Sequence, residues 1–248
     1  MFPYLRLGSF LLQMPLLALV IGFWIATTFI EREAARLGLN KEKINNLIGY
    51  GLVGGILGAR LVYAAQYASV YLANPLGLFS LSTSTLSPVG GFVIGFGAAT
   101  LYAYRQKLPL RQTLDALTPG LSFFMIAVGV SHLLSGNAYG SPSRVPWAMY
   151  LWSDYRHPSQ LYEIFLALVV FTIVLPKMIP AHAPGVRFVQ FIALSAITRV
   201  FLEAFRGDSA LWLDGYRAAQ VVGLVVLIGC MVLLRQWERT GQHESILK

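Results

Sequence analysis

The chain has 248 residues, of which 56% are hydrophobic and only 12% charged, with a mean hydropathy of +0.62. A soluble domain carries about 25% charged residues, so this composition excludes an ordinary water-soluble fold and predicts a polytopic membrane protein. The formal charge of +8 is scattered beside apolar segments rather than gathered in runs, which argues against nucleic acid as a partner. A single cysteine, Cys230, excludes an internal disulfide framework or a cysteine-built metal site. No metal-ligand spacing occurs elsewhere, and no cofactor is expected.

A bilayer span needs roughly 20 apolar residues. Seven stretches approach that length, at about 10–30, 46–67, 88–104, 113–135, 160–177, 187–205 and 217–235. They predict an all-α integral membrane protein with about seven transmembrane helices in a single domain, 1–248. The first stretch is too long for a signal peptide, lacks a small-residue cleavage site, and runs into Glu31 and Glu33. The second holds glycines at 51, 54, 55 and 58, so that Gly51 and Gly55, like Gly54 and Gly58, stand four apart. That spacing lets helix backbones approach closely, and packing explains it better than phosphate binding. Arg60 follows, with Tyr63 and Tyr67 one and two turns later. An arginine in a span is costly unless it snorkels or pairs, so a snorkelling role and an anion-facing role both stand open.

In the fourth span His132 is a lone histidine of the kind usually satisfied by an interhelical hydrogen bond. Before the fifth, residues 156–163 read Arg-His-Pro-Ser-Gln-Leu-Tyr-Glu and place a cation, an imidazole and a carboxylate at the mouth of an apolar run. Ionisable groups at membrane depth suggest a functional site. His157 and Glu163 are either acid–base partners, or members with Ser159 and Gln160 of a polar network where a helix opens at Pro158. On the sixth span Arg199, Glu203 and Arg206 stand at i, i+4 and i+7, a spacing that projects from one helical face, with Asp208 just beyond. This is a structural ion pair with a snorkelling arginine, or a set of cations that meets Arg60 and Arg156 at one leaflet to bind phosphate. Cys230, in the seventh, reads as a small buried hydrophobe.

Loop charge predicts the orientation. One set of loops carries twelve cations: Arg32, Arg36, Lys41, Lys43, Arg105, Lys107, Arg111, Lys177, Arg187, Arg235, Arg239 and Lys248. The other carries five: Arg6, Arg144, Arg156, Arg206 and Arg217. The N-terminus is therefore expected outside and the C-terminus in the cytoplasm. Residues 136–159 and 206–216 then face the same outer surface.

These motifs resemble the prolipoprotein diacylglyceryl transferase family over most of the chain, as a divergent member. The resemblance rests on Gly58-Ala-Arg60-Leu-Val-Tyr63, Gly90-Gly91-Phe-Val, Gly136-Asn-Ala-Tyr139-Gly140-Ser-Pro142, Pro146-Trp147, the 156–163 segment, and Arg199 with Glu203 and Arg206. It implies a seven-span enzyme of the bacterial plasma (inner) membrane with its N-terminus outside. Its substrates would be phosphatidylglycerol, drawn from the membrane lipids, and the cysteine that follows a prolipoprotein signal peptide. Glycerol 1-phosphate would leave as the cysteine sulfur attacks the glyceryl carbon. Under that resemblance Arg199, Glu203, and His157 or His132 are the catalytic candidates. The substrate-binding candidates are Arg60, Tyr63, Arg156, Gln160, Tyr162, Glu163, Arg206, Gly90, Gly91, Gly136 and Gly140.

The chain departs from the family pattern in places. Val89 precedes the paired glycines where histidine or tyrosine is usual, and Pro15 aligns with a first-span tyrosine. Gly129 stands for an arginine, His132 for an asparagine and Asn137 for a glutamate. Two rivals follow: a non-catalytic phospholipid-binding protein or membrane-complex subunit of the same fold, and an enzyme acting on another thiol or amine. A transporter fits less well, because the charges crowd one leaflet and no pair of broken helices marks a midplane site.

Overall fold

The computed structural model describes residues 3–7, 10–79, 85–175, 183–212 and 215–246. It is mostly helical: α1 (Met14–Arg36), α2 (Lys41–Gln66), the short α3 (Ala68–Ala73), α4 (Pro88–Arg105), α5 (Leu110–Ser135), α6 (Ser159–Val174), α7 (Val186–Glu203) and α8 (Ala218–Ile246). Helices thus occupy every predicted stretch. Four of them, α1, α2, α5 and the Ala218–Trp237 part of α8, are long and apolar enough to cross a membrane. Large apolar side chains stand out from the helices, with Trp24 and Phe92 each 74% exposed, a surface that water would not tolerate on this scale. Lys177 and Lys248, used in the loop-charge comparison, lie outside the described residues.

The all-helical expectation omits three antiparallel ribbons: β1 (Tyr4–Leu7) with β2 (Phe10–Gln13), β3 (Met149–Leu151) with β4 (Asp154–Arg156), and β5 (Leu211–Trp212) with β6 (Tyr216–Arg217). Residues 10–13 were expected to open the first span; instead they pair with β1 in the register Tyr4↔Gln13. The helix begins only at Met14, with Pro15 in its first turn, where a missing N–H and a preset φ favour a start.

The chain divides into two compact units, 1–33 with 114–248, and 34–113. In the smaller unit α2 and α4 pack backbone to backbone. A Cβ on Gly54 would meet the Ala98 methyl at 2.8 Å, and one on Gly95 would meet the Gly51 carbonyl at 2.7 Å. The four-residue glycine spacing is therefore a helix-packing device, as expected. Asn40 caps α2 by accepting the Lys43 amide at 3.1 Å, and Ser87 caps α4, where Pro88 takes the first helical position.

In the larger unit Val170, Val174 and Phe191 form a core between α6 and α7, and Cys230 packs with Val189 and Ala193, a buried hydrophobe as read from the sequence. Phe29, Phe123 and Phe171 interlock with ring centroids 5.2–5.5 Å apart. Asp115 accepts the amides of Gly185 (2.6 Å) and Phe188 (3.0 Å), so a carboxylate from α5 satisfies the N-terminus of α7. Arg187, counted above as a loop cation, is buried and ion-paired with the equally buried Glu33.

Candidate active site

The segment between α5 and α6 is built mainly from main-chain contacts. Gly136 ends α5 in the left-handed region, φ +80°, and its amide returns to the His132 carbonyl at 2.9 Å. The β3–β4 ribbon then turns through Trp152 and Ser153, both at positive φ. The Trp152 indole N–H donates to the Gly136 carbonyl at 3.1 Å, which ties the turn to the end of α5. Gly140 pairs with Arg206 and Pro142 with Arg156 in single antiparallel bridges. The Ser141 amide reaches the Phe205 carbonyl (2.8 Å), the Gly207 amide the Tyr139 carbonyl (2.9 Å), and the His157 amide the Ser141 carbonyl (3.1 Å). The 136–142, 156–163 and 203–207 segments, separate in the chain, thereby come together in the larger unit.

Several side chains at this site act as struts. Arg156 donates from Nε to the Leu151 carbonyl (3.1 Å) and from Nη1 to the Gly140 carbonyl (3.3 Å), with its guanidinium 5.1 Å from the Tyr139 ring centroid. Gln160 is buried and donates to the Asn137 carbonyl at 2.9 Å, while Ser159 donates to the Ala138 carbonyl at 2.5 Å. Arg156, Gln160, Gly136 and Gly140, expected to bind substrate, thus shape the loop through their own bonds and backbone fit.

Of the two readings left open for His157 and Glu163, the acid–base partnership does not form. Successive residues on a helix point about 100° apart, so Tyr162 and Glu163 face different neighbours. The Tyr162 hydroxyl accepts from the Trp147 indole at 2.7 Å and lies 3.4 Å from His157 Nδ1. Glu163 instead meets His132 of α5, with Oε2 and Nδ1 2.8 Å apart. His157 and Tyr162 also pack on Phe205, and with Trp147, Phe165, Leu166 and Phe201 these rings line a cavity of about 470 Å³. Of this wall the sequence singles out His157, Tyr162 and Trp147 beside Pro146, but not Phe165, Phe201 or Phe205.

On α7 the spacing holds for one pair and fails for the other. Arg199 Nη2 lies 3.4 Å from Glu203 Oε2; the glutamate side chain is 1% exposed and this oxygen makes no hydrogen bond, whereas Arg199 is 42% exposed. The helix ends at Glu203, so Arg206 leaves the shared face. Its Nε and Nη2 grip the two Asp208 carboxylate oxygens at 2.9 Å each.

The remaining candidates belong to the smaller unit. Arg60, expected beside a head group, donates to the carbonyls of Gly77 (2.9 Å) and Thr85 (3.2 Å) and to the Thr85 hydroxyl. Its guanidinium thus links Gly77 and Thr85. Tyr63 packs against Tyr67 with the rings tilted and their centroids 4.7 Å apart. Gly90 and Gly91 are helix-contact positions rather than an open surface: a Cβ on Gly90 would overlap Val62, and one on Gly91 would meet the Ala59 methyl at 3.0 Å. Val89, beside them, is 74% exposed.

Comparison with known proteins places the chain in a family. A family model described as prolipoprotein diacylglyceryl transferase matches residues 4–235. A phosphatidylglycerol–prolipoprotein diacylglyceryl transferase from Pseudoalteromonas translucida is 31% identical over 225 residues, 87% of this chain and 84% of the relative. Proteins with the same name from Photobacterium profundum and Clostridioides difficile are 28% and 26% identical, covering 97% and 85% of this chain and 94% and 85% of their own lengths. The chain belongs to the prolipoprotein diacylglyceryl transferase family.

Proposed function

We propose that this protein transfers a diacylglyceryl group from phosphatidylglycerol to the lipobox cysteine of a prolipoprotein, in the bacterial plasma membrane. The observation that carries the reading is a family match from residue 4 to 235, which takes in both the 156–163 segment and the Arg199–Arg206 segment. The chain spans the bilayer seven times with its N-terminus outside. The cation bias of the loops supports that topology, even with Arg187 removed from it as a buried ion-pair partner.

Arg199 is the primary phosphate ligand. Its guanidinium is partly open and held by one loose contact, so a phosphodiester can take up its planar fork while Glu203 remains as a counter-charge. Arg206 joins when a phosphate competes with Asp208 for the same two nitrogens. Arg60 is left out of this set, because its guanidinium already holds carbonyls of its own unit. The cysteine sulfur attacks the glyceryl carbon, a thioether bond forms, and the carbon–oxygen bond to phosphate breaks. Arginine charge stabilises the leaving glycerol 1-phosphate, and a histidine takes the thiol proton. The aromatic cavity beside His157 offers an apolar wall for the glyceryl end of the acyl chains.

The test is to incubate membranes containing the protein with phosphatidylglycerol and a lipobox peptide. A diacylglyceryl mass gain that disappears in Arg199→Ala is expected; no gain beside a working control would reject the reading. One observation favours a second reading, a non-catalytic phospholipid-binding protein. The resemblance sets an arginine against Gly129, and a Cβ there would already meet Ile164 Cγ1 at 2.8 Å. That reading predicts co-purifying lipid without turnover.

A further inference from the structure

His132 and Glu163 meet across the α5–α6 contact, Nδ1 to Oε2, at 2.8 Å. An ionised carboxylate only accepts hydrogen bonds, so this contact places a proton on Nδ1 and leaves the lone pair of a neutral ring on Nε2. His157 is arranged differently. The Trp147 indole can only donate, so the Tyr162 hydroxyl accepts from it, and it lies 3.4 Å from His157 Nδ1, where it can donate or accept a second bond. The two histidines therefore differ in kind: a carboxylate fixes the ring of His132, whereas His157 meets a hydroxyl that fixes no tautomer.

Gly129 makes the first arrangement geometrically available. One turn before His132, a Cβ at this position would stand 2.8 Å from Ile164 Cγ1, 3.3 Å from the Ile164 amide nitrogen and 3.5 Å from Glu163 Cγ. Any larger residue would push α5 away from α6 at this level and pull the imidazole off the carboxylate. Gly129 and His132 thus act together at this contact, the one by its small size and the other by its ring. The His132 side chain stays 30% exposed and that of Glu163 18%, so the ring is held without being sealed off.

We propose that His132 Nε2 accepts the thiol proton of the acceptor cysteine, with Glu163 as the positioning residue that fixes the ring and its tautomer. This assignment rests on the transferase reading above. As the sulfur–carbon bond forms and the carbon–oxygen bond to phosphate breaks, the thiol proton moves to Nε2 and the electron pair leaves with glycerol 1-phosphate. The resulting imidazolium is stabilised by the Glu163 carboxylate until the proton passes to solvent or to the departing phosphate.

The experiment uses the full chain in phosphatidylglycerol nanodiscs, with histidine nitrogens labelled for NMR and a lipobox peptide as acceptor. The His132 resonances, identified by their loss in His132→Asn, should report the Nδ1–H tautomer in the unsubstituted protein. Glu163→Ala should shift them toward Nε2–H and lower kcat by about 10²–10⁴-fold, the usual worth of a positioned base, with KM for phosphatidylglycerol unchanged. Glu163→Asp should recover part of the rate. His132→Asn should match Glu163→Ala, and the double substitution should be no worse than either, since the two act as one unit. An Nε2–H tautomer in the unsubstituted protein would overturn the pairing without any activity assay. Full turnover in folded Glu163→Ala, or additive losses in the double variant, would overturn the base role while the transferase reading stands. A chain that turns over no lipid at all would overturn that reading, and the base role with it.

Discussion

The α-carbon of Gly140 lies so close to the carbonyl oxygen of His157 that a methyl group at position 140 would overlap that oxygen. The obstacle is main chain and cannot swing aside. Gly140→Ala should therefore displace the loop that carries the Arg206 bridge, at a cost of about 1–3 kcal/mol. Thermal unfolding in detergent measures this directly. Transferase activity should fall further than stability, since the displaced segment holds Arg206 and His157 in register.

Glu33 and Arg187 form a buried ion pair whose removal by halves is costly. Glu33→Gln leaves the buried Arg187 charge facing a neutral amide and should destabilise by about 3–5 kcal/mol, and Arg187→Met, which removes one partner of Glu33, should destabilise as well. The double substitution Glu33→Gln with Arg187→Met should cost less than the two single losses combined. A double-mutant cycle of denaturation midpoints checks it, and simple additivity would show that the pair carries no coupling.

An arginine at position 129 should not be accommodated. The first side-chain carbon already meets Ile164 Cγ1 at 2.8 Å, so Gly129→Arg must separate α5 from α6. The expected result is a fall in stability of about 1–3 kcal/mol together with loss of activity. A gain in turnover at unchanged stability would contradict this packing.

Arg199→Lys separates charge from geometry. A lysine keeps the cation near Glu203 but lacks the planar fork that matches phosphate. Stability should stay near that of the unsubstituted protein, while kcat/KM for phosphatidylglycerol falls on the order of 10²–10³-fold, the range for losing a preorganised charge contact. Arg199→Ala should lose both, because buried Glu203 is then left without its cation.

Much of this protein follows from local properties of its sequence. Composition and apolar length predict a membrane protein and the position of each long helix, because burial in lipid is judged residue by residue along a single segment. The four-residue glycine spacing of α2 is realised against α4 for the same reason: a small side chain leaves room whatever its partner is. The Arg199–Glu203 pair holds as well, since four residues on one helix are neighbours by geometry alone.

Tertiary structure decided the rest. His132 meets Glu163 across 31 positions and Arg187 meets Glu33 across 154, and no local rule selects such partners. Which of Tyr162 and Glu163 faces His157 depends on the rotation of α6 about its axis, and a step of one residue reverses the answer. Arg206 left its expected helical face because α7 stopped at Glu203, where bonds from the 139–141 loop draw the chain aside. The Trp152–Ser153 turn had no glycine or asparagine to announce it; the indole bond to Gly136, formed only in the folded loop, holds it there.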